Sequence, residues 1–533
     1  MVICKVAMDL ANNNSAVATA SYEVLEDGTR RRKPGTSRLW NDLGARQRNS
    51  CLIPSVILYK ERNSGLSRDC YGYDALAMIK QSSTPFKLSN HIKYRFFVEN
   101  DPYGDNAVDF TNLAKYMLDI IDFEGAQEPD AYEISVSYPV ICDDENLDQL
   151  ENIIYDALAG HSRRIERITF INEAECAFRF AVSDKTVQTA IYNTLTVKDE
   201  AMMLVCDIGG STMELSLYGF TRDGKKVQFT RKGILRGDDK EGRGLGSYAM
   251  DKALRNKLYG SGLLDQNRLQ EIPEALLMLR WITPLKESLN NRLRIGKNGS
   301  LDSLNDIAVP EKLREHNTVD QQQFEQWCRG YTAAVCRQIN NLAEQAGLKP
   351  EDIDLAILTG GGCKLYPVKT AIQELLKPGN RDTACVLCPD DPSGILDGKI
   401  IQEDNPDFCD GLCPKAELAS LACVLGNLAE EVELTMPVED PIGVNPIGEN
   451  DIGKKKPEEN VHEKRYSSFK PCPEDGFVAY WFKTCNDKGY LCNNYCECDS
   501  VCTKDTCSCV SECGCDYNCR NDYDCFCEYE REY

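Results

Sequence analysis

The chain has 533 residues, of which 42% are hydrophobic and 27% charged, with a net charge of −23 and 27 cysteines. This is ordinary globular composition at a length of about three or four domain-sized units, which excludes a wholly disordered or collagen-like chain. The acidic balance argues against nucleic acid as a main partner, because neutralising phosphates takes clustered Lys and Arg.

No apolar run reaches the ~18 residues of a membrane span, so none is expected. The start, MVICKVAMDLANNN, lacks the basic opening, apolar stretch and cleavage site of a signal peptide. The expectation is a cytoplasmic protein with reduced thiols.

In chain order, the pattern predicts a strand over Val2–Met8, a helix over 112–122, a strand over Tyr132–Ser137 and a helix over 145–159. A strand over Met202–Cys206 follows, then helices over 247–259 and 321–346, a strand over Leu355–Leu358 and a helix over 368–377. This alternation predicts an α/β fold with largely buried strands. A long echo runs through it. The first strand enters Asp9-Leu10-Ala11-Asn12-Asn13-Asn14-Ser15, and a later one enters Asp207-Ile208-Gly209-Gly210-Ser211-Thr212. Two such strand–turn–strand units predict a duplicated fold with two lobes, 1–200 and 201–430, around a cleft. Residues 431–471 are rich in Pro, Gly and charge and read as a linker, followed by a Cys-rich acidic module over 472–533.

Turns of small residues let backbone amides face a ligand, and such a concave nest suits phosphate oxygens. Asn12, Asn13 and Asn14 in one turn, and Gly209, Gly210, Ser211 and Thr212 in the other, are the candidate phosphate contacts. Asp9 and Asp207 stand where a carboxylate can hold hydrated Mg²⁺. A third element, Leu358-Thr359-Gly360-Gly361-Gly362-Cys363, lies between a strand and a helix, and its glycines suit close approach of a purine or ribose.

Over roughly residues 3–430 these motifs resemble the 70-kDa heat-shock chaperone family of the actin-like ATPase superfamily. VAMDLANNNSAVA and VCDIGGSTMELSLYG are similar to its two phosphate loops, and LAILTGGGCKLYPV to its adenosine loop. CLIPSVILY, TFINEAECAFRFAV and PKAELASLACVLGNLA resemble the strand and helices between and after them. The resemblance implies a duplicated actin-like ATPase fold that binds ATP and Mg²⁺ and hydrolyses ATP slowly. It implies Asp9 near the metal, Glu173 holding the attacking or a metal-bound water, and Asp207 orienting water or acting as base. It also implies Lys286 near the ribose and Gly360, Gly361 and Gly362 facing the adenosine. A literal alignment puts Ser89 at the position of the catalytic lysine; Lys93, with Lys87 second, supplies the charge after a small shift. This sequence departs from the family at Ala11, where a glycine is usual, and at Asn12 and Asn13, which replace two threonines. It departs again at Thr283 and Glu287, which replace Glu and Arg, so a guanidinium that stacks on the purine is missing.

The family's β-sandwich and helical lid are absent from the pattern after 430. The tail instead carries 13 cysteines in 62 residues, with 13 acidic and 5 basic side chains. Its Cys-x-Cys pairs are Cys496 with Cys498, Cys507 with Cys509, Cys513 with Cys515, and Cys525 with Cys527. These eight are candidate soft-metal ligands, zinc foremost. A disulfide-stapled module and a disordered tail are the alternatives. Cys385, Cys388, Cys409 and Cys413 approach a zinc-ribbon spacing, but the first two fall on an expected buried strand, where thiols are common. His91, His161, His316 and His462 define no motif and read as surface or loop residues. Arg30–Lys33 and Lys454–Lys456 read as solvated loops.

The expected function is an ATP-controlled binding switch with a protein client or partner that the sequence does not name. The rivals are an actin-like filament protein and a phosphatase of the polyphosphate or guanosine-pentaphosphate type.

Overall fold

The computed structural model describes residues 1–48, 50–60, 69–81, 87–99, 103–121, 129–140, 142–159, 164–238, 244–260, 274–301, 318–376, 385–388, 415–429, 434, 482–485 and 490–493. The chain forms two compact units, 1–444 and 445–533. Of the second, the described part is an antiparallel pair of strands, Phe482–Cys485 with Tyr490–Asn493. The expected zinc ligands of the tail, Cys496, Cys498, Cys507, Cys509, Cys513, Cys515, Cys525 and Cys527, all lie outside the described residues. So do Cys409, Cys413, His161, His316, His462 and Lys454–Lys456.

Val2–Asp9 is apolar at nearly every position and buried on both faces, which suits a central strand covered by helices. It pairs antiparallel with Asn14–Val24 and parallel with Ala131–Tyr138. The five-stranded path of the first sheet runs Arg30–Arg32, Asn14–Val24, Val2–Asp9, Ala131–Tyr138, Ile165–Asn172. The second sheet repeats it with Lys226–Arg236, Met213–Asp223, Glu200–Ile208, Leu355–Thr359 and Cys385–Leu387. In both, two antiparallel strands adjoin three parallel ones in matching order. This duplicated α/β architecture is that of an actin-like ATPase. Its consequence for function is that Asp9 and Asp207 end equivalent strands, where open α/β sheets place ligands.

The expected strands and helices recur within a few residues, except that the helix expected at 112 starts at Gly104. Its first turns bury Asn106 and Asp109 beside Phe110, so polar residues on the inward face hide the apolar period. Asp109 accepts from Tyr59, Ser89 and Arg95, which is why a carboxylate is tolerated there.

The helix Ala422–Leu428 closes the fold. It packs on the helix Glu173–Ser183 so tightly that a Cβ on Gly426 would lie 1.8 Å from the Cys176 carbonyl oxygen. Asn427 fastens it to the first sheet, accepting from Ser135 Oγ at 2.5 Å and donating to the Ser135 carbonyl at 3.0 Å.

Two expectations about charge and burial are corrected. Arg30–Arg32 is an edge strand rather than a loop, and Arg30 makes a two-pronged ion pair with Glu133, both contacts at 2.7 Å. Cys385 and Cys388 are exposed rather than buried: Cys385 opens the edge strand Cys385–Leu387 and Cys388 follows it. Among the described residues, no helix is long and apolar enough to cross a membrane.

Candidate functional site

Each half presents its aspartate in the same way. Asp9 accepts from Ser137 Oγ at 3.0 Å, and Asp207 accepts from Thr359 Oγ1 at 2.7 Å, the hydroxyl coming each time from the neighbouring parallel strand. Glu173 is the first residue of its helix, whose amide at Ala174 is capped by the Asn172 side chain. Lys93 stands just before a wide π-type turn over Tyr94–Val98, a local geometry often found at functional sites.

These elements bring Asp9, Lys93, Glu173 and Asp207 together, all at most 6% exposed. Lys93 Nζ lies 2.5 Å from Glu173 Oε1 and 3.6 Å from Asp9 Oδ1. Lys87, by contrast, is exposed and pairs with Asp105 at 3.4 Å, while Ser89 donates to Asp109. Burial alone would lower the Lys93 pKa, but the charges of Glu173 and Asp9 outweigh it and hold the ammonium above its ordinary value.

The carboxylates shift the other way. Burial pushes Glu173 up to about 7, with Lys93 opposing and Asp9 reinforcing the rise. Burial likewise raises Asp207 to about 6, against the pull of Thr359.

A fourth carboxylate, Glu214, escaped the sequence reading. It is the register partner of Asp207 across the hairpin, so both side chains share one sheet face. It is 1% exposed, and among the described residues neither oxygen accepts a hydrogen bond of normal geometry. Burial first, then the charges of Glu173 and Asp207, raise it well above the carboxylate range, and the Val140 amide only partly offsets this. The corresponding position of the first hairpin, opposite Asp9, is Ala16. Within MELSL the glutamate alternates with apolar residues, a pattern that by itself reads as solvent-facing, whereas here both faces of the strand are buried.

The two hairpin turns touch. A Cβ on Gly210 would come 3.0 Å from Asn12 Cβ and 3.0 Å from Asn13 Cγ. Asn12 Nδ2 donates to Asn13 Oδ1 at 3.0 Å and meets His91 Nδ1 at 2.9 Å, and Asn13 Nδ2 donates to Ser247 Oγ at 3.3 Å. Asn14 is exposed at the start of its strand. Ser211 and Thr212 are buried, and the carbonyls of Gly209 and Gly210 accept from the amides of Ser247 and Tyr248. His91 lies in a loop, as expected, but is only partly exposed. It adopts φ +52°, packs against Tyr248 with ring centroids 3.9 Å apart and the rings tilted by 33°, and burial lowers it to about 3, so it is neutral.

In the third loop Gly360 has φ +80°, and a Cβ there would meet the Ile208 carbonyl at 2.3 Å. Gly362 packs on the Ile208 side chain in the same manner, and Gly361 is the exposed member of the trio. Lys286 is buried against Asp251 at 2.9 Å. The second residue that sequence reading missed is Cys423, whose Sγ lies 3.6 Å from Asp207 Oδ2. A lone Cys on an apolar helix carries no signal of its own.

Residues 181–391 match the family model of the Hsp70 protein. That span is under half of the chain, and it holds Asp207, Glu214, Lys286 and Gly360–Gly362. The Hsp70 match supports a nucleotide-binding, chaperone-like ATPase at the level of the family. Asp9, Lys93 and Glu173 lie outside the matched span and are tied to it by the repeated sheet and the shared cluster.

Proposed function

We propose that residues 1–444 bind Mg-ATP between the two hairpins and hydrolyse it slowly, as a nucleotide-controlled switch for a protein partner. The observation that carries this reading is Lys93, held between Asp9 and Glu173 where the two equivalent hairpins meet. Four buried carboxylates around one ammonium leave negative charge that a bound cation would offset. Magnesium, when bound with the nucleotide, would neutralise phosphate charge and keep most of its waters, with Asp9 and Asp207 as the residues placed to hold those waters.

This chain's own groups have distinct tasks in that reading. Glu173 and Asp207, with pKa values near neutrality, are suited to taking a proton from an attacking water at physiological pH. Lys93 would turn from Glu173 to the transferring phosphoryl oxygens, where a fixed positive charge is most useful. Asn12, Asn13, Ser211 and Thr212 supply donors to the phosphates, and Gly361 and Lys286 mark the nucleoside side. Slow turnover follows because nucleotide must first separate Asn12 and Asn13 from Gly210 and draw Lys93 off Glu173.

A switch needs an output, and Leu434 is the described residue that supports one. It is 4% exposed among Phe220, Val227 and Ile357, and its carbonyl accepts from the Val227 amide at 2.9 Å on the edge strand of the second sheet. Motion of that edge would be felt directly in the chain that leads to the Cys-rich module. For that module we propose zinc held by the pairs Cys496 with Cys498, Cys507 with Cys509, Cys513 with Cys515, and Cys525 with Cys527, in a cytoplasmic setting. Less than one equivalent of metal in protein purified under reduction would remove the zinc assignment.

Calorimetry with Mg-ATP tests the central reading. Saturable heat and a thermal shift are expected, and neither at millimolar ATP would overturn it. Parallel assays with polyphosphate and by light scattering separate the phosphatase and filament rivals.

A further inference from the structure

We propose that Glu173, Asp207 and Cys423 form a site for one thiophilic divalent cation of the zinc class at the floor of the cleft. The site itself needs no nucleotide; its consequence, competition with nucleotide, rests on the reading above. One donor atom from each of the three buried residues lies within 4.8 Å of the others. The separation of Cys423 Sγ from Asp207 Oδ2 is 3.6 Å. A tetrahedral zinc with Zn–S of ~2.3 Å and Zn–O of ~2.0 Å has an S···O edge of about 3.5 Å, so this pair already stands at ligand spacing. Carboxylates alone suit magnesium or calcium, whereas one thiolate among them selects zinc or cadmium.

Glu214 is the independent sign that a cation belongs here. Its carboxylate is buried on the same sheet face as Asp207, and both of its oxygens lack a normal hydrogen bond among the described residues. Lys93 engages Glu173 and Asp9. A divalent ion beside Asp207 would bring positive charge to the part of the cluster that the lysine does not contact.

The three donors sit on rigid supports, as a pre-formed site requires. Asp207 ends a central strand, and Glu173 opens a capped helix. Cys423 is held on the closing helix by the close approach of Gly426 to Cys176. On binding, the Cys423 S–H bond breaks, a metal–sulfur bond forms and the proton leaves to solvent. Glu173 exchanges Lys93 for the metal. An ion joining Glu173 to Asp207 occupies the floor on which phosphates would rest, so zinc would act as an inhibitor of the cleft.

The test uses the full chain, reduced, stripped of metal and free of nucleotide, titrated with ¹¹³Cd²⁺ and followed by ¹¹³Cd NMR. Cadmium shifts report the number of sulfur ligands, so a one-sulfur site is distinct from any multi-sulfur site in the tail. A one-sulfur resonance is expected in the wild type and in Cys328→Ala, and it should vanish in Cys423→Ala and Asp207→Asn. Cys423→Ser conserves volume and should move the signal to the oxygen-only region, which guards against misfolding of the alanine variant. A wild type without that resonance, or a resonance unchanged in Cys423→Ala and Cys423→Ser, overturns the site. Mg-ATP should weaken cadmium binding at this resonance at least tenfold. Unchanged affinity there overturns the competition, while ATP calorimetry on the cadmium-free chain judges the nucleotide reading separately.

Discussion

The ammonium of Lys93 lies 2.5 Å from Oε1 of Glu173, with both side chains at most 5% exposed to solvent. Such a buried pair is costly to break on one side only, because the survivor keeps its charge without a partner. Lys93→Met should therefore do two things. Single-turnover ATP hydrolysis should fall by about 10²–10³-fold, the usual loss when a preorganised charge at the reacting group is removed. The Tm should drop less at low pH, where Glu173 can protonate, than at pH 8. An unchanged hydrolysis rate would exclude Lys93 from the chemistry.

Much of this architecture was legible because it is repeated. An apolar strand ending in Asp and small residues occurs twice, and the repeat pointed to both the duplicated fold and the places of Asp9 and Asp207. The lysine was harder, since Lys87, Ser89 and Lys93 lie within seven residues and spacing alone does not rank them. Three-dimensional pairing does: Lys87 pairs with exposed Asp105, Ser89 holds Asp109, and Lys93 turns inward. Glu214 and Cys423 were illegible for opposite reasons. A glutamate in an alternating strand reads as solvent-facing unless both faces are known to be covered. A cysteine among apolar residues reads as core.

The raised carboxylates give the fold a particular pH dependence. Burial lifts Glu173 to about 7 and Asp207 to about 6, and Glu214 stands well above its ordinary value. Unfolded, such groups titrate near pH ~4. Between those limits the folded protein holds more protons than the unfolded chain, so this part of its stability falls as pH rises and the penalty from Glu173 and Asp207 is complete above about 7. Glu214→Gln keeps the shape and removes the buried titrating group. It should raise the Tm by about 2–4 °C at pH 8, the scale of ~1 kcal/mol, and the gain should shrink towards pH 5. A gain equal at both pH values would show that Glu214 is not held as a destabilised carboxylate.

His91 and Tyr248 couple the 87–99 segment to the helix Ser247–Gly260, with Asn12 on the other side of the imidazole. Aromatic pairs of this kind contribute about 0.5–1.5 kcal/mol beyond buried area. Tyr248→Ala should loosen the contact between these segments and speed nucleotide association and release several-fold, while the chemical step in single turnover stays within twofold. Stopped-flow with a fluorescent ATP analogue measures both. Unaltered exchange rates would mean that this ring pair does not gate the cleft.

Leu434 offers the most direct test of a link between the cleft and the chain beyond it. Its side chain is buried with Phe220, Val227 and Ile357, and its carbonyl is bonded to the Val227 amide. Replacing a buried Leu by a smaller residue costs about 2–5 kcal/mol, and an aspartate adds the penalty of burying a charge. Leu434→Asp should therefore release this anchor at a cost to the core on that face of the second sheet, while the core on the sheet's other face and the core of the first sheet, which do not contain Leu434, hold the fold together. Limited proteolysis should then cut within residues 430–444 at least tenfold faster than in the wild type. In the wild type the cutting rate should change when Mg-ATP is added, and in the variant it should not. Equal nucleotide sensitivity in both proteins would show that Leu434 does not carry the signal, even if the cleft binds and hydrolyses ATP.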